Sequence, residues 1–430
     1  MKGALRRVDP ALAAIVAEGF FSRLSFGLIS FALPLYAYQE LGLSLTAIGF
    51  LASLNLGVAI VLKPFMGSLA DRVGMKPSFT VAIALRSVVS LLLVFATLPW
   101  QLFAIRGVHG VSIALRDPSA NVLLAEQGGK KAVASAFAWY QTAKSLAGTL
   151  GKAGAGVLLA VTASSFSAVF AIAFLLSALP VVIVARFVHE AKTDSDSPAA
   201  AVRKAEEEAR EATPPPPRML PFAGVGFLIS GTAYMLANLF PILAVEYAGL
   251  TTAQAGLVYL IAPVVILTGP LFGWLSDNVS RKLVLSLRSV ANVASSVLYL
   301  VAPSFAGVAV ARAVDDLGKA AFRPAWGALM AHVAGFDRRR RARMMGSMSA
   351  GEDAGEFAGP ILAGFLWSTW GVPVLLAVRI ALAVVTEIYT LVVTASLRRL
   401  DAGPEEPSQG RRAFRRRRTA PARARSIAES

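Results

Sequence analysis

Apolar runs of about twenty residues recur along almost the whole chain, separated by short connections, and this pattern restricts the fold more than any other feature. A bilayer's hydrocarbon core is about 30 Å thick and takes roughly 20 apolar residues of helix to cross. Inside it every backbone N–H and C=O must be satisfied within the protein, which favours helices. Only 16% of the 430 residues are charged, where a soluble protein carries about a quarter. An ordinary soluble enzyme is therefore excluded, and the chain reads as an all-α integral membrane protein. Twelve spans are expected, at about 11–37, 45–68, 79–98, 101–124, 132–160, 167–188, 219–245, 252–276, 283–302, 305–331, 344–369 and 372–397. They are numbered here as spans 1 to 12.

Charge placement orients these spans. Of 42 Lys and Arg residues, 29 fall in the termini and alternate connections, and the intervening connections offer only Glu40 and Glu246. Basic residues stay on the cytoplasmic side of a membrane. A multi-pass protein of the cytoplasmic membrane with both termini inside is the expectation. The net charge of +16 does not call for nucleic acid, because Arg411–Arg425 alone holds eight arginines in a tail that suits anionic lipid headgroups. The absence of cysteine and the wide spacing of His109, His189 and His332 argue against a metal site. No cofactor is expected, since no phosphate-binding glycine loop or nucleophile motif appears. The one long polar interruption, 189–218, reads as a solvated linker with a Pro214–Pro217 tract. The expected organisation is a six-helix lobe at 1–188, the linker at 189–218, a second lobe at 219–397 and a basic disordered tail at 398–430.

The two halves repeat. Pro34 and Pro241, Gly42 and Gly249, and Gly49 and Gly256 are each 207 residues apart. Gly67 and Gly273, Asp71 and Asp277, Lys76 and Lys282, Arg106 and Arg312, and Pro118 and Pro324 are each 206 apart. Such duplication is the plan of two-lobed secondary transporters, whose site lies between lobes at the membrane midplane. Over about residues 10–400 the sequence resembles the major facilitator superfamily. The resemblance rests on GSLADRVGMK at Gly67–Lys76, its weaker copy GWLSDNVSRK at Gly273–Lys282, and Arg106-x-x-x-Gly110. It implies two pseudo-symmetric lobes of six helices that alternate access to a small-molecule solute, with lipid as surroundings and a monomer as the unit.

The loop motif has its own physics. Gly67 is expected to let span 2 approach a neighbour, and Gly74 to permit a tight turn. Asp71, with Arg72 and Lys76, is expected to hold the cytoplasmic side closed through Arg116, and Asp277, with Lys282, to do so through Arg323. Pro118 and Pro324 would then fix the ends of spans 4 and 10 just beyond those arginines.

Ionisable groups within spans are costly and mark pathways, partners or proton relays. Glu352 and Asp353 in span 11, Asp315 and Asp316 in span 10 and Glu18 in span 1 are candidates to carry a proton, Glu352 foremost by its depth. Arg23, Arg106, His109, Lys144 and Lys319 are candidates to line a substrate cavity. Arg312 with Asp316, and Asp315 with Lys319, are spaced to pair along one helix face. Lys144 is set to face either an anionic part of the solute or Glu352 and Asp353 across the lobes. Arg379, Glu387 and Arg86 are assigned local structural roles. Drug/proton antiporters of the family carry Gly-Pro in span 5; here GTLGKAGAG at Gly148–Gly156 places Lys152 where Pro is expected, while span 11 keeps Gly359-Pro360. The functional expectation is proton-coupled export of a small organic solute. Proton-coupled uptake, lipid flipping and a non-transporting receptor are the alternatives.

Overall fold

The computed structural model describes residues 10–127, 129–188, 219–335 and 341–401, and in them every regular element is helical. The linker 189–218, the tail beyond Asp401 and the basic residues Arg338 to Arg340 lie outside the described residues. Spans 1 to 6 are the helices Pro10–Gln39, Leu45–Val73, Met75–Phe95, Pro99–Gln127, Gly129–Val161 and Phe166–Phe187. Span 7 is Leu220–Ala237 continued by Phe240–Ile242 and a π turn at Leu243–Tyr247. Span 8 comes in pieces, Thr252–Leu257, a 3-10 turn at Val258–Leu260, Ile261–Ile266 and Gly269–Asn278, and it bends by 44°. Pro263 and Pro270 remove donors on either side of that bend. Spans 9 and 10 are Arg281–Val301 and Phe305–Gly335, and spans 11 and 12 share Arg341–Asp401, broken at Gly371. Length and apolarity alone qualify seven helices among the described residues as membrane crossings, or eight if the bent pair of span 8 counts. Spans 4, 5 and 10, which carry much of the in-membrane charge, are not among the seven.

The repeat seen in the sequence is repeated in the backbone. Gly42 and Gly249 sit at φ 62° and 67°, each turning the chain after the first span of its half. A side chain there would strain against the backbone. Gly74, at φ 107°, ends span 2 as its N–H donates to the Ala70 carbonyl at 2.9 Å.

Small residues set the packing inside each half. Gly351, Gly355 and Gly359 form a stripe on span 11 against the backbone of Ala223, Phe227 and Gly231 in span 7. Gly151 does the same for spans 5 and 1 against the backbone of Leu24, Gly27 and Leu28. Without a hydrophobic drive between helices in lipid, such close backbone approach supplies the attraction. Between the halves the contacts lie toward one end. Gly49 of span 2 meets Pro360 of span 11, Gly364 of span 11 meets Leu45, and Gly156 of span 5 meets Thr252 and Gly256 of span 8. Beside them the Gln39 side-chain amide donates to Glu246 at 2.7 Å. At the other end, which carries the basic loops, Val61, Phe65, Leu69, Leu267 and Leu271 are exposed. The halves meet at one end and part at the other.

Candidate functional site

Two adjoining cavities open where the halves part. One, of 330 Å³, is lined by Lys63, Asp117, Asn121, Tyr140 and Lys144. The other, of 570 Å³, lies between spans 5, 8 and 10 and is lined by Ser145, Pro263, Asp316, Lys319 and Arg323, with Gln141 common to both. Charges inside an apolar bundle must pair or face such water-filled space. That division sorts the ionisable residues.

In the first half, Arg116 is buried and grips Glu18. Its Nε donates to Glu18 Oε1 at 3.0 Å, and its Nη2 donates to both carboxylate oxygens at 2.8 Å and to the Tyr140 hydroxyl at 2.9 Å. Glu18 is fully buried, so spans 1, 4 and 5 are joined by one charge-assisted knot. Arg106 is consumed structurally rather than offered to a solute. Its guanidinium donates to the Leu51 and Ala52 carbonyls at 3.1 and 3.0 Å and to Asn55 Oδ1 at 2.5 Å, tying span 4 to span 2. His109 is buried against Phe26, with Nδ1 3.4 Å from Arg106 and Nε2 without a partner. Two expected cavity cations are available. Arg23 is exposed and lies 5.0 Å from the Phe26 ring, and the Lys144 ammonium lies 4.8 Å over the Tyr140 ring; neither is in an ion pair among the described residues.

In the second half, Asp315 is held by three cations. Lys319 donates to it at 2.6 Å, Arg288 at 3.1 Å and Arg379 at 2.8 Å. Arg312 donates to Asp316 at 2.9 Å, and Lys319 reaches the same carboxylate at 3.1 Å. The i,i+4 pairs read from the sequence are present. Arg379 is fully buried and also donates to Asn292 Oδ1 at 2.6 Å and Ser296 Oγ at 2.7 Å, so it knits spans 9, 10 and 12. Glu387 accepts from Ser286 nearby. Span 11 differs. Glu352 accepts from the Trp326 indole N–H, Asp353 makes no ion pair among the described residues, and Glu356 hydrogen-bonds Tyr234 and feels the charges of Arg23 and Lys63.

Four expectations about the gate are corrected. Arg116 does not reach for Asp71 but turns inward to Glu18, because its helix runs on to Gln127 and leaves it about 16 Å from that end. Pro118 and Pro324 accordingly lie inside helices rather than ending them. Asp277 and Arg323 are both exposed and no ion pair joins them. A methyl group at Gly67 would meet open space, not a neighbouring helix. For Asp277, Arg323 and Gly67 the reason is that this end of the bundle is parted. Asp71 and Arg72 are exposed, Lys76 donates to the Ala185 carbonyl at 3.3 Å, and the side chain of Lys282 lies outside the described residues. Nor does Lys144 bridge to Glu352 or Asp353. Glu18, Asp315 and Asp316 are locked in ion pairs, which sets them apart from the span 11 carboxylates as proton carriers.

Sequence reasoning missed Arg288, Asn292, Tyr234 and the exposure of Glu356 to the opposite half. A signal existed for the first two. Arg288, Asn292, Ser295 and Ser296 follow helical spacing on one face of span 9, a polar stripe in an otherwise apolar run.

This is the frame of a two-lobed membrane transporter: a central cavity between glycine-packed repeats, charged inside and walled by lipid-length helices. The sequence profile of the Major Facilitator Superfamily matches residues 19–268 and 222–427, and the chain belongs to that family. It is a multi-pass, all-helical membrane protein. It is 34% identical over 128 residues to "Multidrug resistance protein MdtG" of Erwinia billingiae (strain Eb661), a match covering 29% of this chain and 31% of that relative. The chain thus aligns with about a third of that relative's length. Among solved structures it resembles the nucleoside transporter NupG with a TM-score of 0.69 at 14% identity, covering 90% of this chain and 98% of that one. It also resembles a bacterial homologue of the human lysosomal transporter Spinster in an inward-facing, unoccupied conformation. There the TM-score is 0.67 at 14% identity, with 91% and 96% of the two chains covered.

Proposed function

We propose that this transporter exports a small organic solute across the cytoplasmic membrane in exchange for protons. Residues 1–188 and 219–397 act as the rocking lobes, 189–218 as a cytoplasmic linker, 398–430 as a lipid-facing tail, and both termini lie inside. The basic-loop end is then cytoplasmic, and the conformation described is open to the cytoplasm. The observation that carries the reading is the division among carboxylates. Glu18, Asp315 and Asp316 are neutralised by cations at 2.6–3.1 Å, whereas Glu352, Asp353 and Glu356 lie in span 11 without such a partner among the described residues. A partly buried carboxylate without a cation partner can be protonated in one state and released in the other. Glu352 is the proposed coupling group, with Glu356 one turn further along the same face. Export is supported by the name of the relative, a multidrug resistance protein.

The test is solute flux in proteoliposomes with an imposed pH gradient, over a panel of drugs and metabolites. The reading expects a gradient-driven flux, directed opposite to the protons, that Glu352→Gln abolishes while solute exchange without a gradient persists. Gradient-driven flux at the wild-type rate in Glu352→Gln would remove that residue from coupling. Folded wild-type protein that moves nothing across the panel would overturn transport itself.

A further inference from the structure

Span 5 carries Lys152 at the repeat position of Pro360, 208 residues later in span 11. Pro360 meets Gly49 of the other lobe, and the equivalent contact of span 5 with span 8 is made beside Gly156 and Gly256. Lysine in place of proline therefore puts a cation at the contact between lobes. Its ammonium lies 4.9 Å over the ring of Tyr259, and the Arg312 guanidinium lies 4.9 Å from the same ring. The charges that bear most on Lys152 are Arg312, Arg23 and Lys319, all of its own sign, and the carboxylate Asp316. Asp316 is already shared between Arg312 and Lys319.

The imbalance extends through the network. Among the described residues, Lys152, Arg312, Lys319, Arg288 and Arg379 share only the carboxylates Asp315 and Asp316 between them. A helix bundle in lipid does not tolerate several uncompensated cations without a further anion or water. Two other groups there are also unfilled. The Tyr259 hydroxyl and Arg288 Nη2 are buried and have no hydrogen-bond partner, although each residue is only 2% exposed. The 570 Å³ cavity leads to this place, since Asp316 and Lys319 form part of its wall. Its wall also carries the apolar residues Leu146, Ala262, Pro263 and Leu267.

We propose that Lys152 is a substrate-binding residue and that the solute is an organic anion, its carboxylate or sulfonate held by Lys152 and Lys319 and its apolar body lying along spans 5 and 8. The proposal rests on the transport reading above and names the chemical class of its solute. The acid group completes the charge balance that Asp315 and Asp316 leave short. Lys152 belongs to the first lobe and Lys319 to the second, so a bound anion draws on both lobes. An acidic solute in water and an acidic lipid headgroup share this chemistry, and the experiment separates them.

The test is equilibrium binding to purified full-length protein, which needs no gradient. The probes are carboxyfluorescein as a soluble anion, rhodamine 6G as a cation of similar size, and nanodiscs with or without phosphatidylglycerol as the lipid source. The expected result is saturable carboxyfluorescein binding that Lys152→Gln weakens by roughly 10- to 100-fold, the loss of one charge-assisted bond. Lys152→Arg is expected to restore it within about threefold. Competition by phosphatidylglycerol would assign the site to a headgroup, and its absence to a soluble acid; both keep the proposal. A merely structural Lys152, acting through the Tyr259 ring, would lower thermal stability without changing the preference for anion over cation. Unchanged anion binding in Lys152→Gln, equal or better binding of rhodamine 6G, or no saturable anion binding at all would overturn the proposal. Lys152-dependent binding without flux would instead count against transport.

Discussion

At the residue scale, the bundle separates charges that hold it together from charges that face the solute path. Arg116 and Glu18 belong to the first kind. Removing one partner of a buried pair leaves an uncompensated charge and costs about 3–5 kcal/mol. Arg116→Ala is therefore expected to lower the thermal unfolding midpoint in detergent markedly, and the double variant with Glu18→Ala to fall well short of the sum of the single losses. Additive losses would show that the pair is not coupled. Asp315 makes the same point more strongly, being bound by Lys319, Arg288 and Arg379. Asp315→Asn should impair folding or stability, read by size-exclusion profile and unfolding midpoint, before it alters any proton dependence. The sequence showed which residues are charged within spans, and spacing alone paired Arg312 with Asp316. It did not show which partner Arg116 takes. Only Asp71 was expected of it, and the actual partner depends on how far span 4 extends beyond Pro118, a tertiary matter. What Glu356 faces was hidden for a similar reason, since its neighbours Tyr234 and Arg23 come from other spans.

At the element scale, glycines and a proline at repeat positions form the contact that shuts one end. Gly49 and Gly256 are 207 residues apart and meet Pro360 and Gly156 across the lobes. The repeat was legible from the sequence, but its use was not, because an offset says that two positions correspond and not what they touch. The expectation for Gly67, inferred from residue type, failed in this conformation for want of a neighbour. Branched side chains at Gly49 or Gly364 would overlap backbone atoms of the opposite lobe and block closure of that end. Gly49→Val and Gly364→Val are each expected to favour opening there and to slow turnover, with protein yield and unfolding midpoint little changed. Wild-type turnover in both variants would mean that this contact does not close in the cycle. Span 8 carries the complementary feature. Its interrupted hydrogen bonding at Val258–Leu260 and the 44° bend make it the least regular helix beside the larger cavity.

At the scale of the whole molecule, the central claim is that two lobes, closed at one end and parted at the other, exchange those conditions around a shared site. The fold class was readable because membrane length, charge asymmetry and duplication all pointed the same way. The conformation was not, since both states bury the same spans and differ only in which ends meet. The chain has no native cysteine, so paired labels report cleanly. The most direct measurement is pulsed electron spin resonance on Ser68→Cys with Ser349→Cys at the basic end, and on Glu40→Cys with Ser368→Cys at the other, in nanodiscs at high and low pH. The account predicts two distance populations for each pair, with the basic-end distance shrinking as the far-end distance grows when pH or solute is changed. Single, unchanging distances at both ends, in protein shown to be folded, would contradict it.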